Sequence, residues 1–425
     1  MEIRLRVPQR IPLKPAPGTF YNIAVGLYLL HMAVMATLTN FYPDVLMRFR
    51  MPSFLLVAGL VLVAIALRLL KKGVPLRPLL FYCAFFALML LGIVYQAENT
   101  PYILDILLSA SFIKHVLLFS MLFLFEEEPD LRVRQLTVIA VAALLVYYLG
   151  VSKDMFLMEN GRIDYMLVGY GCSPWWCILA QGVFYYRNKI AKLFCLAGTI
   201  YFAIFITVYG NRGALVVLFI AVAVIVAVYL PLKWLVPLGS LLFAAMVALL
   251  LFLEPILTTI GKLLGLDLTQ SRNLRLLTSD FLGLGYDSGR MPLYQECLGA
   301  IFRHPLLGNG VGGDRVATGG EYVHNIVLEL CTHFGIVIGA LIYGWLLYMG
   351  VRMLSHCKNR DWRALFLPFY VFSMVQLFFS RTLYQSGYLM TSVVIYLTYS
   401  ESLNVSRSRQ RKIPRTYEIE RLPFF

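Results

Sequence analysis

Two arginines and a histidine, far apart in the chain, carry the chemistry this sequence is best equipped for. His324 stands at the start of an apolar stretch, directly after the long hydrophilic run from Glu254 to Tyr322. An imidazole of ordinary pKa can take or give a proton near neutral pH. Glu321 lies three residues back and would hold one ring nitrogen if a helix has already begun there, leaving the other free. Asn325 follows directly, and no HExxH or comparable pair accompanies His324, so no metal is expected.

Arg212 sits in Tyr209-Gly210-Asn211-Arg212-Gly213-Ala214-Leu215, which separates two apolar runs by almost nothing. Its glycines permit a tight turn. An arginine fixed on such a turn presents a planar fork that grips phosphate oxygens in pairs, although it could equally reach lipid headgroups. Arg290 follows Gly283-Leu284-Gly285-Tyr286-Asp287-Ser288-Gly289 and precedes Met291-Pro292. Proline suits a first helical turn, so Arg290 is expected to open a short helix, where free backbone N–H groups also favour anions. His304-Pro305 then ends that helix, and glycines 308, 310, 312 and 313 make a bend. The bend lacks the Lys-Ser/Thr of a phosphate-binding loop, and His304 reads as a packing or capping residue. Arg381, in Ser380-Arg381-Thr382, is a third cation on a tight turn.

The elements that must position these residues are membrane helices. Hydrophobic residues make up 60% of the 425 and charged ones 14%, which excludes an ordinary soluble domain or a disordered chain. Twelve windows are apolar enough to span: about 20–40, 53–70, 79–96, 103–125, 135–151, 165–186, 193–209, 213–230, 234–253, 323–349, 364–380 and 383–400. The first lacks a small-residue cleavage pattern and is read as a retained anchor. The expected fold is therefore an all-α polytopic membrane protein with about 12 transmembrane helices. Its parts are an N-terminus (1–19), nine spans (20–253), a long loop (254–322), three spans (323–400) and a basic tail (401–425).

Lys and Arg orient the bundle, because they concentrate in short cytoplasmic loops. With both termini inside, 23 of the 37 fall on cytoplasmic segments, including Lys71, Lys72, Arg132, Arg134, Arg352 and Arg360. That places the 254–322 loop outside. The net charge of +14 is then dispersed over loops and a tail that touches anionic headgroups, which argues against nucleic acid. Seven cysteines show no metal spacing; Cys297 and Cys331 both fall near the outer side and could pair. Lys114 and Glu329 lie inside expected spans, where an ionisable group needs a partner or a function. They are expected to pair with each other or with backbone carbonyls, or else Lys114 lines an anionic substrate's path.

The ordered set Asn211-Arg212-Gly213-Ala214-Leu215, Gly289-Arg290, His304-Pro305-Leu306-Leu307-Gly308-Asn309-Gly310 and Val323-His324-Asn325, with Leu328 and Gly335 behind it, resembles the O-antigen polymerase and ligase superfamily. These are membrane glycosyltransferases related to the C-type fold, and the likeness covers about 209–345. The resemblance implies transfer of a glycan from a polyprenyl diphosphate carrier to an acceptor hydroxyl, outside the bacterial cytoplasmic membrane. It makes Arg212, Arg290 and His324 the catalytic residues, the arginines holding diphosphate and the histidine acting at the hydroxyl. Arg381, Lys114, Glu321 and Asn325 are expected to contact substrate. No cofactor is expected, and no Asp-x-Asp metal motif occurs on an outer loop; inverting transfer follows from the family analogy. Polysaccharide polymerisation is the first reading, with ligase or protein glycosylation activity as alternatives and a flippase or chain-length regulator as possible company. A transporter is the competing class, but transporters show related halves, whereas here the polar elements cluster in one half.

Overall fold

The computed structural model describes residues 18–41, 43–152, 165–231, 233, 237, 240, 259 and 290–412. The window at 234–253, most of the loop before Arg290 with its Gly283–Gly289 run, and the basic residues before Gly18 and after Lys412 lie outside these. The described residues are helical with no strand: α1 (Thr19–Phe41), α2 (Pro43–Lys72), α3 (Leu76–Tyr95), α4 (Thr100–Leu108), α5 (Phe112–Met121), α6 (Pro129–Ser152), α7 (Tyr165–Tyr185), α8 (Lys189–Tyr209), α9 (Arg212–Tyr229), α10 (Arg290–Arg303), α11 (Gly313–Ala317), α12 (Ile326–Val351), α13 (Arg360–Gln376) and α14 (Gly387–Lys412).

Asparagine starts four of them. Asn188, Asn211, Asn325 and Asn359 each accept a backbone N–H from the first turn of α8, α9, α12 and α13. A short amide side chain satisfies there a donor that the helix itself leaves unpaired. Helix α13 is buried on all sides from Ala364 to Gln376, so it forms the axis of the bundle. Phe119, Phe123, Phe369, Phe372 and Tyr388 interlock around it edge to face. Outward, α2 and α12 expose leucines, isoleucines and valines, the surface a hydrocarbon solvent tolerates. Among the described residues, five helices are long and apolar enough to cross a membrane, or six if one bent pair is a single span. Thr19–Val34 and Gly213–Tyr229 are shorter apolar helices.

Two windows differ from the straight spans expected. Window 103–125 is split between α4 and α5, which meet at 74°. Lys114 therefore sits on a π-helical turn after a sharp bend. Its ammonium lies 4.5 Å from the Phe54 ring centroid and near the Met51 sulfur of α2, so it does not pair with Glu329. Window 323–349 is broken at Gly335, whose φ of 77° and ψ of 170° leave the helix. Past the break the chain doubles back, and Gly339 meets the backbone of Leu330 and Cys331.

The His304–Gly310 motif repairs that break. Ile336 N–H donates to the Pro305 carbonyl at 2.8 Å, and Asn309 and Gly310 N–H donate to the Thr332 and His333 carbonyls at 2.7 and 3.0 Å. Non-helical backbone inside a membrane protein persists only where other groups take up its polar atoms. Gly308, at φ 71°, is pressed so closely on His333 and Gly335 that a Cβ would lie 2.5 Å from their backbone atoms. Gly319 has a similar φ of 70° but open space around it. Gly319→Ala should therefore cost only the left-handed strain, roughly 1–2 kcal/mol. Gly308→Ala should cost at least about 4 kcal/mol, the exceptional end for one substitution. Thermal unfolding of the detergent-solubilised variants checks this, and equal midpoints would refute it.

The alternating helices sort their connections onto two ends. At one end, Arg68 pairs with Glu127, Tyr185 donates to Asp130 and Asp361, Arg360 caps the end of α7, and Leu76 N–H meets Glu401. Arg132, counted above as a loop cation, is buried there in a 2.7 Å pair with Glu126. The opposite end gathers Asn99 with Asn309, Gly169 with Asn211, and Tyr322 with Ser380. All seven cysteines are free thiols, so Cys297 and Cys331 do not pair.

Candidate active site

The His324 turn lies at the second of these ends. At φ 55°, His324 is the only non-glycine residue with positive φ among the described residues. That conformation costs roughly 1–2 kcal/mol, so neighbours must hold it. Ile326 N–H donates to the Leu377 carbonyl at 3.0 Å, and the Tyr322 hydroxyl donates to the Ser380 carbonyl at 2.9 Å. The Tyr322 ring also packs 4.0 Å from the imidazole, centre to centre. His324 Nδ1 is buried and has no hydrogen-bond partner.

Helix α12 begins only at Ile326, with Asn325 as its cap, so the helical pairing expected between Glu321 and His324 does not form. Glu321 acts through space instead. Burial first, and then the Arg290 guanidinium, lower the His324 pKa, against a smaller upward pull from the Glu321 carboxylate. The imidazole is therefore neutral at pH 7. Asn325 Oδ1 accepts Val327 and Leu328 N–H at 3.0 and 3.2 Å, which is a structural use of that side chain.

The three arginines stand on other elements. Arg290 is the first residue of α10, half-buried, and its charge is felt at Tyr170, Tyr322 and His324. Arg381 lies in the α13–α14 connection, half-buried, and its charge reaches Tyr322 and Tyr388. It also lines a cavity of about 150 Å³ with His115, Tyr147, Trp175 and Tyr388. Arg212 opens α9, where Asn211 Oδ1 accepts Ala214 N–H at 2.7 Å. The glycines keep that turn close to its neighbours: a Cβ on Gly169 would lie 2.8 Å from Asn211 N, and one on Gly213 would strike the Tyr170 hydroxyl and lie 3.3 Å from Phe379 Cβ. Phe379 leads directly into Ser380-Arg381. The 210–213 turn, the 380–382 turn, the start of α10 and the 322–325 turn thus share one end of the bundle. Lys114, facing α2, is not in this group. His304 is exposed at the end of α10.

Beneath the site is a buried triad that the motifs did not mark. His333 Nε2 lies 2.7 Å from Asp314 Oδ1, and Glu329 accepts Leu383 N–H at 3.0 Å and the Thr382 hydroxyl. Ligand-type atoms of Asp314, Glu329 and His333 lie within 4.8 Å of one another, a grouping from which a metal site could be built. Here those atoms are engaged by one another, by backbone N–H groups and by Thr382. The one available signal was that Asp314 is the only acid between Glu296 and Glu321, amid glycines. His115 carried no signal beyond adjacency to Lys114.

Residues 197–344 match the family model described as O-antigen ligase. That stretch contains Arg212, Arg290, the His304–Gly310 motif, His324 and the Gly335 break. The match bears out the resemblance of this stretch to the O-antigen polymerase and ligase superfamily. It supports glycan transfer of that general type. No curated protein matches the chain.

Proposed function

We propose that this protein transfers a glycan from a polyprenyl diphosphate to an acceptor sugar hydroxyl at the His324 site, on the outer side of the cytoplasmic membrane. The supporting observation is that Arg290, Arg381 and the Arg212 turn gather with a neutral imidazole at the end away from the Arg68, Arg132 and Arg360 contacts. The basic loops mark the cytoplasmic end. In the reaction the acceptor oxygen bonds to the anomeric carbon, the bond from that carbon to phosphate breaks, and polyprenyl diphosphate leaves. The hydroxyl proton passes to His324. Arg212, Arg290 and Arg381 take up the charge that develops on the departing diphosphate, where fixed cations away from bulk water act most strongly. Such a leaving group needs no protonation, so no dedicated acid is required. Glu321 and the free amide N–H of Asn325 flank the acceptor's approach.

Chain extension on the carrier, a polymerase, is the first reading; the family model's description favours transfer to a different acceptor, a ligase, as the second. Purified protein given a polyprenyl-diphosphate oligosaccharide alone should yield a ladder of repeat-unit masses if it polymerises. Product only when a lipid A core is added would select the ligase. No product with either would end the proposal.

The pH profile should carry the His324 signature. The working form is the neutral imidazole, so activity rises as pH rises through its pKa. Burial and Arg290 lower that pKa. The acidic limb of kcat/KM should therefore fall below the ordinary imidazole value of about 6.5. A bound diphosphate offsets Arg290, so the limb of kcat, which reports the complex, should lie at higher pH than that of kcat/KM. Coincident limbs above 7 would remove His324 as the base.

A further inference from the structure

Two buried carboxylates each hold the backbone of a segment that presents one of the site's functional side chains. Glu329 accepts Leu383 N–H with both oxygens, at 3.1 and 3.0 Å, and takes the Thr382 hydroxyl as well. Thr382 and Leu383 directly follow Arg381. Asp314 Oδ2 accepts Val323 N–H at 3.4 Å, and Val323 directly precedes His324. The other Asp314 oxygen is held by His333 Nε2, whose ring contacts the Tyr384 hydroxyl through Nδ1 at 3.4 Å. Burial opposes the charge on Asp314, but the His333 ring and the Val323 N–H outweigh it and keep the carboxyl below its usual range. Asp314, Glu329 and His333 are each no more than 2% exposed, so solvent does not compete for these bonds.

We infer that Asp314 and Glu329 are positioning residues that, tied through His333 and Tyr384, set the spacing between His324 and Arg381. The inference rests on the proposed glycan transfer. Neither segment has regular structure to hold it: His324 is in a left-handed conformation, and Arg381 lies in a non-helical connection. Removing a clamp should displace the reacting groups rather than abolish donor binding. A misplacement of about 1 Å is enough to cost about 10²-fold in rate.

The test uses the full-length protein with a polyprenyl-diphosphate oligosaccharide and four variants: Asp314→Ala, Asp314→Asn, Glu329→Ala and Glu329→Gln. Asparagine and glutamine keep an oxygen for the backbone N–H. Both alanine variants should lose roughly 10- to 100-fold in kcat with donor KM near wild type, and the amide variants should recover most of it. Independently of activity, diethyl pyrocarbonate should modify His324 several-fold faster in Asp314→Ala than in wild type or Asp314→Asn, read by peptide mass. Folded alanine variants with wild-type kcat and His324 labelling would overturn the inference. So would equal losses in the amide and alanine variants, restored by added divalent ions, which would make the triad a metal site. Where an alanine variant fails to fold, hydrogen exchange in the wild type decides: protected Val323 and Leu383 amides support the clamps, and rapid exchange at both refutes them. A wild-type protein that transfers no glycan would instead remove the proposed function, while labelling and exchange still report on the clamps.

Discussion

His324→Ala should lower kcat by about 10²–10⁴-fold, the range for a general base, while the protein folds and binds donor as before. The expectation rests on three features of the residue. Its imidazole is kept neutral by burial and by Arg290, its Nδ1 lacks a partner, and its backbone holds a left-handed conformation. The last feature shapes the choice of variants. Asparagine tolerates positive φ better than most residues but cannot accept the proton. His324→Asn should therefore keep the thermal midpoint and remain as inactive as alanine. If asparagine instead restored most of the turnover, a neutral amide would be doing the work, and the imidazole would orient the acceptor rather than deprotonate it. Unchanged glycan length in cells carrying His324→Ala would remove the polymerase reading.

Arg290→Ala should be nearly as damaging, with a loss of about 10²–10³-fold in kcat, comparable to removing one donor to a developing anion. The diphosphate gains charge as the sugar departs, so the guanidinium interaction strengthens toward the transition state and its loss falls on kcat more than on KM. Arg290→Lys should recover part of the deficit, since it restores the charge without the planar fork. Arg303→Ala, at the exposed far end of the same helix, should leave turnover unchanged. Arg290→Ala also removes a cation that disfavours imidazolium, so the acidic limb of kcat/KM should move to higher pH. A large loss confined to KM, with that limb unmoved, would show Arg290 to be a docking residue remote from His324.

Much of this was legible in the chain before any contact was known. Apolar windows depend only on local composition, and the described ones fall mainly on helix, apart from the bend between α4 and α5 and the break at Gly335. The asparagine caps of α9 and α12 act within their own first turn, yet Asn325 was expected at the substrate rather than as a cap. Arg290 opens a helix as Pro292 predicted, and the order of motifs carried the family resemblance that the match over 197–344 supports. The Gly335 break was invisible, because an isolated glycine in an apolar run does not reveal whether another segment supplies the lost hydrogen bonds. Here Pro305, Asn309 and Gly310 do so. Partner choice was equally hidden: Lys114 and Glu329 looked like a pair, yet one rests on Phe54 and the other holds Leu383.

By itself, the sequence determined which segments are helical, where several of them begin, and which residue types are available for handling phosphate and protons. Those properties arise from interactions within a few residues along the backbone. Only the tertiary structure decided that Arg290 acts on His324, that Arg290 and Arg381 both reach Tyr322, and that Asp314, His333 and Glu329 lie together beneath them. A buried charge takes whichever partner the packing of distant helices brings within about 3 Å, and no spacing along the chain encodes that choice.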